Sequence, residues 1–307
     1  MLEQERILVT GAAGRVGFPI ARALAGNGNT VFGLARFSDP ADRDRLVSAG
    51  IEPVRCDLHG ADYADLPDGI TYVFHAGAAL GGEAADWAFA LEVNALSTGR
   101  LMVAVGRTCR GFVYCSTGST YAYQGQRPLR EDDPPGIHTT GNYSFSKIAG
   151  EAIVHHVTAE HGVPATIIRI CSTYGPEGGA PWDRIARMIE GKEIVLHPDA
   201  PNNYNPIYED DYVRLGIRAL EVASVPPVTV NWGGSETVSA EDYLAYAGSL
   251  LGVEPNVTYG PGAYHPLWPD VTKMHAVLGR CEVPWQEGFR RMLEVRVPEL
   301  LVERDAG

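Results

Sequence analysis

Paired cysteines, positive charge and long apolar runs are all scarce in this chain. None of the five cysteines belongs to a Cys-x-x-Cys pair, which argues against a disulfide framework or a zinc site and predicts buried thiols in a reducing cytoplasm. The net charge of −13 argues against nucleic acid or an anionic membrane as a partner, because both favour a basic surface. No stretch suggests a membrane span, and the charged N-terminus predicts no signal peptide.

The composition that remains is that of an ordinary folded protein. The chain has 307 residues, of which 45% are hydrophobic and 21% are charged, so it can bury a large core and is not expected to be disordered. This length allows one large α/β domain or a domain with an appended lobe.

A glycine-rich turn separates the first predicted strand from the first predicted helix. The apolar run 7–9 ends at the turn 10–17, and apolar residues then recur at helical spacing. Gly11 and Gly14 allow a tight turn in which a pyrophosphate can approach backbone N–H groups, and Gly17 allows the helix and strand to pack closely. Taken alone, the pattern fits a purely structural turn nearly as well.

The end of the second strand bears on the choice of coenzyme. An NAD site usually has an acidic residue here to hold the ribose 2′-hydroxyl, but this chain has Ala35 followed by Arg36. Arg36 and the Ser38 hydroxyl suit a 2′-phosphate, and Arg15 in the glycine turn adds a second cation. We therefore predict NADP, with NAD as the alternative if Arg36 only solvates a loop.

Three later strands also end in residues that suit a bound nucleotide or substrate. Asp57 follows the third strand, where an acid can hold an adenine amine, and the strand 72–75 runs into small residues, as is needed where a backbone faces a flat ligand. Asn94 is a polar candidate for supporting the site. Thr117 ends the buried strand 111–115, and a hydroxyl there faces the crevice in which parallel sheets bind ligands.

The segment 142–147 opens a helix that is predicted to end near position 161. Tyr143 and Lys147 are four residues apart, so they share a helix face about 6 Å apart along the axis. A free tyrosine has a pKa of about 10, and a fixed cation nearby favours the phenolate, so the pair predicts proton transfer to or from a hydroxyl or carbonyl. The alternatives are an ordinary surface helix and a Ser144-x-x-Lys147 acyl-transfer pair.

A group of histidines lies on the same helix. His156 and Glu160 share a face at four-residue spacing, and His155 and His161 lie nearby. Metal binding needs a third ligand from elsewhere in the chain and none is evident, so a solvated face is predicted.

Together these residues resemble the extended short-chain dehydrogenase/reductase family, which includes NAD-dependent epimerases and dehydratases. The motifs run in the family's order over essentially the whole chain: the turn 10–17, Asp57-Leu58, the strand end 75–78, Asn94, Ser116-Thr117, Tyr143-x-x-x-Lys147, Arg169 and Tyr174-Gly175-Pro176. The resemblance implies an α/β fold, with a Rossmann-type doubly wound parallel sheet over 1–170 and core returns near 206–231. It also implies a smaller C-terminal α/β substrate lobe over 171–307, and a homodimer formed by the helices that begin near Trp87 and Tyr143.

The resemblance also implies roles for individual residues. Tyr143 is the expected catalytic acid/base, Lys147 holds the nicotinamide ribose and lowers the tyrosine pKa, and Thr117 orients the substrate oxygen. The expected cofactor-binding residues are Gly11, Ala13, Gly14, Arg15, Val16, Arg36, Ser38, Asp57, Leu58, Ala76, Gly77, Ala78, Asn94, Tyr143, Lys147 and Ile170. The expected substrate-binding residues are Ser119, Ser172, Trp182 and Tyr204, and no metal is expected.

Two departures separate the chain from the nucleotide-sugar members of that family. Ser172 replaces their usual asparagine and Tyr204 their usual arginine, both of which contact the sugar diphosphate. Aromatic residues of the lobe, including Trp182 and Trp268, suit a flatter or more apolar small-molecule substrate. The expected function is an NAD(P)-dependent oxidoreductase for a ketone or secondary alcohol. A nucleotide-sugar epimerase is the main alternative, and a non-catalytic nucleotide-binding regulator is the third.

Overall fold

Strands and helices alternate along the chain in the computed structural model, which describes residues 2–136 and 141–302. The strands are β1 (Arg6–Thr10), β2 (Thr30–Ala35), β3 (Glu52–Arg55), β4 (Tyr72–His75), β5 (Gly111–Thr117), β6 (Ala165–Ile170), β7 (Thr173–Gly175), β8 (Gly178–Gly179), β9 (Ile194–Leu196), β10 (Asn203–Tyr204), β11 (Ile207–Tyr208), β12 (Val228–Trp232), β13 (Val238–Ser239) and β14 (Val257–Tyr259). The α-helices are α1 (Gly17–Gly26), α2 (Pro40–Ser48), α3 (Trp87–Leu91), α4 (Ser97–Val105), α5 (Asn142–His161), α6 (Ala180–Ile189), α7 (Glu209–Glu221), α8 (Ala240–Leu251), α9 (Thr272–Val277) and α10 (Trp285–Arg296).

Seven parallel strands form the main sheet in the order β12-β6-β5-β4-β1-β2-β3. The order reverses beside β1, whose Thr10 pairs with Leu34 of β2 on one side and His75 of β4 on the other. Such a reversal opens a crevice at the carboxyl ends of the strands. The predicted Rossmann-type doubly wound sheet is therefore confirmed, and β5 and β6 place Thr117 opposite Ile170 at the same edge.

The main sheet is covered on both faces, which explains why its strands are continuous apolar runs. One buried cluster lies between the sheet and α1, α7 and α9, and includes Phe18, Phe74 and Trp232. The other lies under the opposite helices and includes Phe112 and Val154. These two layers hold the carboxyl ends of the strands in fixed positions.

The helical stretch Trp87–Thr108 is long and apolar enough to cross a membrane by length and composition alone, so the expectation that no stretch suggests a span was wrong on that count. Over half of it is buried within the protein, mainly against α5, and a core helix passes the same test. The stretch is also not a uniform α-helix, because Glu92–Leu96 forms a π-helical turn between α3 and α4.

The lobe has a core of its own, formed by α6, α8 and α10 around Tyr243 and Phe289. Helix α6 begins at Ala180, with Pro181 in the first turn, where its missing N–H breaks no helical bond. Strand β11 pairs with β7 in a small three-stranded sheet. The sequence predicted core returns near 206–231, but within that range only the part that contains β12 joins the main sheet.

Candidate active site

The glycine turn and the chain after β4 meet backbone to backbone. Gly11 has φ of +62°, a conformation that favours glycine, and a Cβ built on it would lie 2.8 Å from the Gly77 nitrogen. The Gly14 N–H donates to the Gly11 carbonyl oxygen at 2.9 Å, which closes the turn. Bare backbone thus forms the floor of the crevice just before the N-terminus of α1, which is the cradle that a pyrophosphate requires.

Asn94 fixes the position of this floor. In the π-helical turn its Oδ1 accepts from the Ala79 N–H at 2.7 Å, and its Nδ2 donates to the Ala79 carbonyl at 3.1 Å and to Ser146 Oγ of α5 at 2.9 Å. Asn94 is fully buried and does not line the crevice. The expected direct cofactor contact is therefore corrected to a supporting role, because the amide is already satisfied by protein groups.

A pocket at one end of the crevice contains most of the expected adenosine-side residues. Those that line it are Gly11, Ala13, Gly14, Arg36, Ser38, Asp57, Leu58, Ala76, Gly77 and Ala78. Sequence reasoning missed Glu83, which lines the same pocket and accepts a hydrogen bond from Arg36 Nη1 at 2.6 Å. No local signal marks Glu83, because the two residues are 47 positions apart.

The other end of the crevice brings the predicted catalytic residues together. One pocket is lined by Thr117, Tyr143 and Lys147 and also by the glycine turn and the chain after β4, through Gly11, Gly14, Arg15, Val16, Ala76 and Ala78. Ile170 and Ser172 line it as well. The predicted catalytic residues and part of the predicted cofactor-binding set therefore share one continuous space.

The pKa of Tyr143 moves opposite to the prediction. Burial among protein atoms raises the pKa of Tyr143 to about 12, and a hydrogen bond with the Thr117 hydroxyl opposes this rise. The resemblance predicted a lowered pKa for Tyr143, but the net shift is upward, because burial is the largest influence and the Thr117 hydrogen bond offsets it only in part. Tyr143 thus keeps its proton at neutral pH.

Lys147 is buried beneath the same pocket. Its Nζ lies 4.3 Å from the centroid of the Tyr114 ring, and only 1% of the residue is exposed. Burial lowers the pKa of Lys147 from 10.5 to about 8. The contact with the electron-rich ring face favours the ammonium form, so the lysine remains largely charged at neutral pH.

An ion pair behind Lys147 supports the helix. The Glu151 carboxylate accepts from Arg169 Nε at 3.0 Å and Nη2 at 2.7 Å, and from Ser116 Oγ at 2.5 Å. This network joins α5 to the ends of β5 and β6. Glu151 was not singled out from the sequence, although its position four residues after Lys147 on the same helix face is a usable signal.

The acyl-transfer alternative fails on geometry. Ser144 is fully buried, and its Oγ donates to Ser119 Oγ at 3.3 Å rather than reaching the pocket. Ser119 in turn lies 3.1 Å from Thr117 Oγ1. These hydroxyls therefore fix the position of Thr117, and Ser144 is not available as a nucleophile.

The expected substrate-binding residues divide into two groups. Ser119, Ser172 and Tyr204 line a smaller compartment next to the catalytic pocket, together with Trp268. Trp182 does not line either space, because its ring packs under the Arg296 guanidinium, 4.1 Å away, and its assignment to the substrate is corrected.

Within residues 2–136 and 141–302, no group of three or more histidine, cysteine, aspartate or glutamate residues is placed to hold a metal ion. All five cysteines are free thiols.

A Rossmann sheet with a glycine cradle and a Thr-Tyr-Lys set in one crevice defines a dinucleotide-dependent oxidoreductase. Comparison with known proteins is more specific. The profile of the NAD dependent epimerase/dehydratase family matches residues 7–233. The chain belongs to this family, and it is an enzyme of the extended short-chain dehydrogenase/reductase class.

Relatives within the family differ in the reaction they catalyse. The chain is 28% identical to the dTDP-4-dehydro-6-deoxy-D-allose reductase of Streptomyces bikiniensis, over 92% of this chain and 93% of the relative. It is 27% identical to the UDP-glucose 4-epimerase of Mycolicibacterium smegmatis, over 94% and 97%. The crystal structure of UDP-glucuronic acid 4-epimerase from Bacillus cereus in complex with UDP-glucuronic acid and NAD matches with a TM-score of 0.82 and 25% identity, over 94% and 98%.

Proposed function

We propose that this enzyme transfers hydride between a nicotinamide coenzyme and a ketone or secondary alcohol, with Tyr143 as the proton carrier. The observation that carries the proposal is the single pocket lined by the glycine turn, Thr117, Tyr143 and Lys147. Gly11 and Gly77 both line the crevice, and a Cβ on either would collide with protein atoms, so glycine lets the two segments approach closely and leaves bare backbone towards a dinucleotide.

Each catalytic side chain has a distinct task in this proposal. A bound nicotinamide coenzyme supplies or accepts the hydride. Tyr143 holds a proton on its hydroxyl and donates it to the oxygen of a ketone, which matches a pKa of about 12. Thr117 would orient the same oxygen, and the Lys147 ammonium would hold the ribose hydroxyls of a bound coenzyme and stabilise the phenolate once the proton has left.

The coenzyme preference is a finer part of the proposal. Arg36 and Ser38 line the adenosine end and favour NADP, whereas the similar solved enzymes contain NAD. Glu83 competes with a 2′-phosphate for Arg36, and it can also accept a hydrogen bond from a ribose 2′-hydroxyl in place of the acid missing at the end of β2. We therefore propose that the Arg36–Glu83 pair sets the choice between NADP and NAD.

A nucleotide-sugar epimerase is the second candidate. It is favoured by the 25% identical UDP-glucuronic acid 4-epimerase, which is covered over almost its whole length. The same three catalytic side chains serve this reaction, in which a sugar carbon is oxidised and then reduced again with no net use of coenzyme.

The experiment that tests the proposed function compares wild type with Tyr143→Phe. We expect the variant to lose turnover by a factor of about 10²–10⁴ while coenzyme affinity is retained, because only the proton carrier is removed. The matched control is Tyr259→Phe, an exposed phenol in the lobe, which should keep full activity. Unimpaired turnover in Tyr143→Phe refutes the proposal. Net change in reduced nicotinamide absorbance favours the oxidoreductase, and redox-neutral turnover of UDP-glucose favours the epimerase.

Two further properties are proposed from the sequence and the surface. The free thiols fit a reducing cytoplasm, which is our proposed location.

Exposed apolar side chains on α3–α5, namely Trp87, Leu96, Val103 and Phe145, form a face that suits the predicted homodimer.

A further inference from the structure

The compartment beside the catalytic pocket is small and continuous with it. Ile170, Ser172 and Ala180 line both spaces, so a group held in the compartment can present a neighbouring carbon beside Tyr143. The cavity measures about 170 Å³. An engineered protein cavity of about 150 Å³ is known to accept benzene, so this space fits one six-membered ring with small substituents.

Among residues 2–136 and 141–302, no charged side chain lines the compartment. Its polar side chains carry hydroxyls, a thiol and an indole N–H, from Ser119, Tyr121, Ser172, Tyr204, Cys171 and Trp268. In the adjoining catalytic pocket the cations are Arg15, in the glycine turn, and Lys147, while Glu177, Asp183 and Glu209 add negative charge. A diphosphate in the compartment would meet no cation among the described lining residues, and three acidic residues face two cations in the adjoining pocket, so the pair of spaces disfavours a substrate diphosphate.

The nearby guanidinium of Arg184 does not change this conclusion. Arg184 is not among the residues that line the compartment, and it donates to the Tyr204 hydroxyl at 3.0 Å and to the Tyr243 hydroxyl at 2.9 Å. Tyr204 accepts this hydrogen bond and keeps its own proton to donate. Arg184 thus makes Tyr204 a fixed donor for a neutral oxygen, and the phenol separates the cation from the compartment.

The remaining walls are flat and already held in place. Trp268 is 7% exposed, and its carbonyl accepts from the Leu129 N–H at 2.8 Å. The Tyr121 hydroxyl is engaged with Asn231 Oδ1 at 2.5 Å, which leaves the ring as an apolar wall. Rigid aromatic walls favour a flat ring at a low entropic cost.

We propose that the substrate is a neutral single-ring alcohol or ketone without phosphate, with its ring beside Trp268 and a second oxygen accepting a hydrogen bond from Tyr204. The inference rests on the proposed function, because it assigns a substrate class to the same site. It separates this enzyme from the similar structures whose ligands are UDP-sugars.

The test uses the full-length enzyme with four probes. Acetophenone and 4-methoxyacetophenone are offered with reduced coenzyme, UDP-glucose is offered with oxidised coenzyme, and UDP binding to the coenzyme-loaded enzyme is followed by calorimetry. We expect reduction of both ketones, loss of that reduction in Tyr143→Phe, and no heat of UDP binding at millimolar concentration. Tyr143-dependent turnover of UDP-glucose without turnover of the ketones overturns the inference. If that turnover reduces coenzyme, the proposed function is left intact, and if it is redox-neutral, it favours the epimerase. No Tyr143-dependent turnover of any probe, with coenzyme still bound, overturns both.

Two variants test the placement of the ring. Trp268→Ala should raise the ketone KM by about tenfold or more with the coenzyme KM unchanged, and Trp268→Phe should restore most of the loss because it keeps an aromatic face. Tyr204→Phe should raise the KM for 4-methoxyacetophenone and leave that for acetophenone unchanged. Equal KM values in wild type, Trp268→Ala and Tyr204→Phe contradict the proposed placement.

Discussion

Arg36 has one guanidinium for two competing anionic groups, the Glu83 carboxylate and a coenzyme 2′-phosphate. We expect Glu83→Gln to tighten NADP binding by about tenfold relative to NAD, because the variant removes the competing charge. Arg36→Ala should weaken NADP far more than NAD. Fluorescence titration of both coenzymes measures each ratio.

The control for this prediction is Glu190→Gln, which removes an acid from an exposed ion pair with Lys192 in the lobe. Glu190→Gln should leave both affinities unchanged. An equal loss of NAD and NADP affinity in Arg36→Ala removes the 2′-phosphate argument, and an unchanged ratio in Glu83→Gln shows that the carboxylate does not compete.

The buried charge of Lys147 gives the folding free energy a specific pH dependence. Burial disfavours the ammonium, so the destabilisation is complete below the folded pKa of about 8 and disappears as the pH rises towards the ordinary value of 10.5. Lys147→Met removes this effect at similar side-chain volume. We expect the variant to be more stable than wild type at pH 7, with the difference shrinking by pH 10.

Urea unfolding at several pH values measures this difference. Lys192→Met is the matched control, because Lys192 is exposed and its removal should give a difference that does not vary over the same interval. A gap between wild type and Lys147→Met that stays constant from pH 7 to pH 10 contradicts the assignment of the shift to burial.

Single residues show why some site assignments were predictable and others were not. Tyr143 and Lys147 were found because helical spacing is a local pattern, and Thr117 because it ends a recognisable strand. Glu83 was missed and Trp182 was misassigned, because the partner of each is brought from a distant part of the chain by the fold.

At the scale of elements, the π-helical turn Glu92–Leu96 joins the cofactor floor to the catalytic helix α5. Asn94→Ala removes three hydrogen bonds and leaves both polar groups of the Ala79 backbone without their partner. We expect a loss of about 2–3 kcal/mol in the free energy of unfolding. Turnover should fall further than stability alone explains, because Ala76–Ala79 and α5 lose their common support.

Denaturant unfolding and coenzyme titration test this prediction on the same samples. The control, Asn256→Ala, changes an exposed asparagine in the lobe and should alter neither quantity. Wild-type stability and activity in Asn94→Ala would show that the clamp is dispensable.

Element boundaries followed the sequence closely where the pattern was strong. The predicted helix from 142 to about 161 matches α5, which spans Asn142–His161. The π-helical turn was not predicted, because it preserves the apolar spacing of an α-helix and differs only in backbone hydrogen bonding.

At the scale of the whole molecule, the apolar face of α3–α5 is the feature that the isolated chain leaves exposed. Val103 on α4 is 48% exposed, and Leu96 and Phe145 lie on neighbouring elements. We predict that Val103→Asp converts a homodimer into a monomer, because a dimer interface would have to bury its carboxylate.

Light scattering after size-exclusion chromatography gives the mass of each species. Val47→Asp is the control, since Val47 is similarly exposed on α2, away from this face. A wild-type protein that is already monomeric at micromolar concentration contradicts the prediction.

The overall architecture was the most predictable level, because strand-turn-helix repeats and the order of motifs depend on many residues at once. The size and neutrality of the substrate compartment were not predictable to the same degree. They depend on segments that are remote in sequence, such as Tyr204 and Trp268, converging on the end of β5.

The π-helical turn also has a consequence for how this chain can vary in length. A π turn contains one more residue than the α turn it replaces, so loss of one residue from 92–96 would let an ordinary α-helix continue. The helical segments on either side would keep nearly their present facing, and the residues within 92–96 would shift by one position relative to those segments. A single-codon deletion here would preserve helix content and still carry Asn94 away from Ala79, so the site, rather than the helix, fixes the number of residues in this segment.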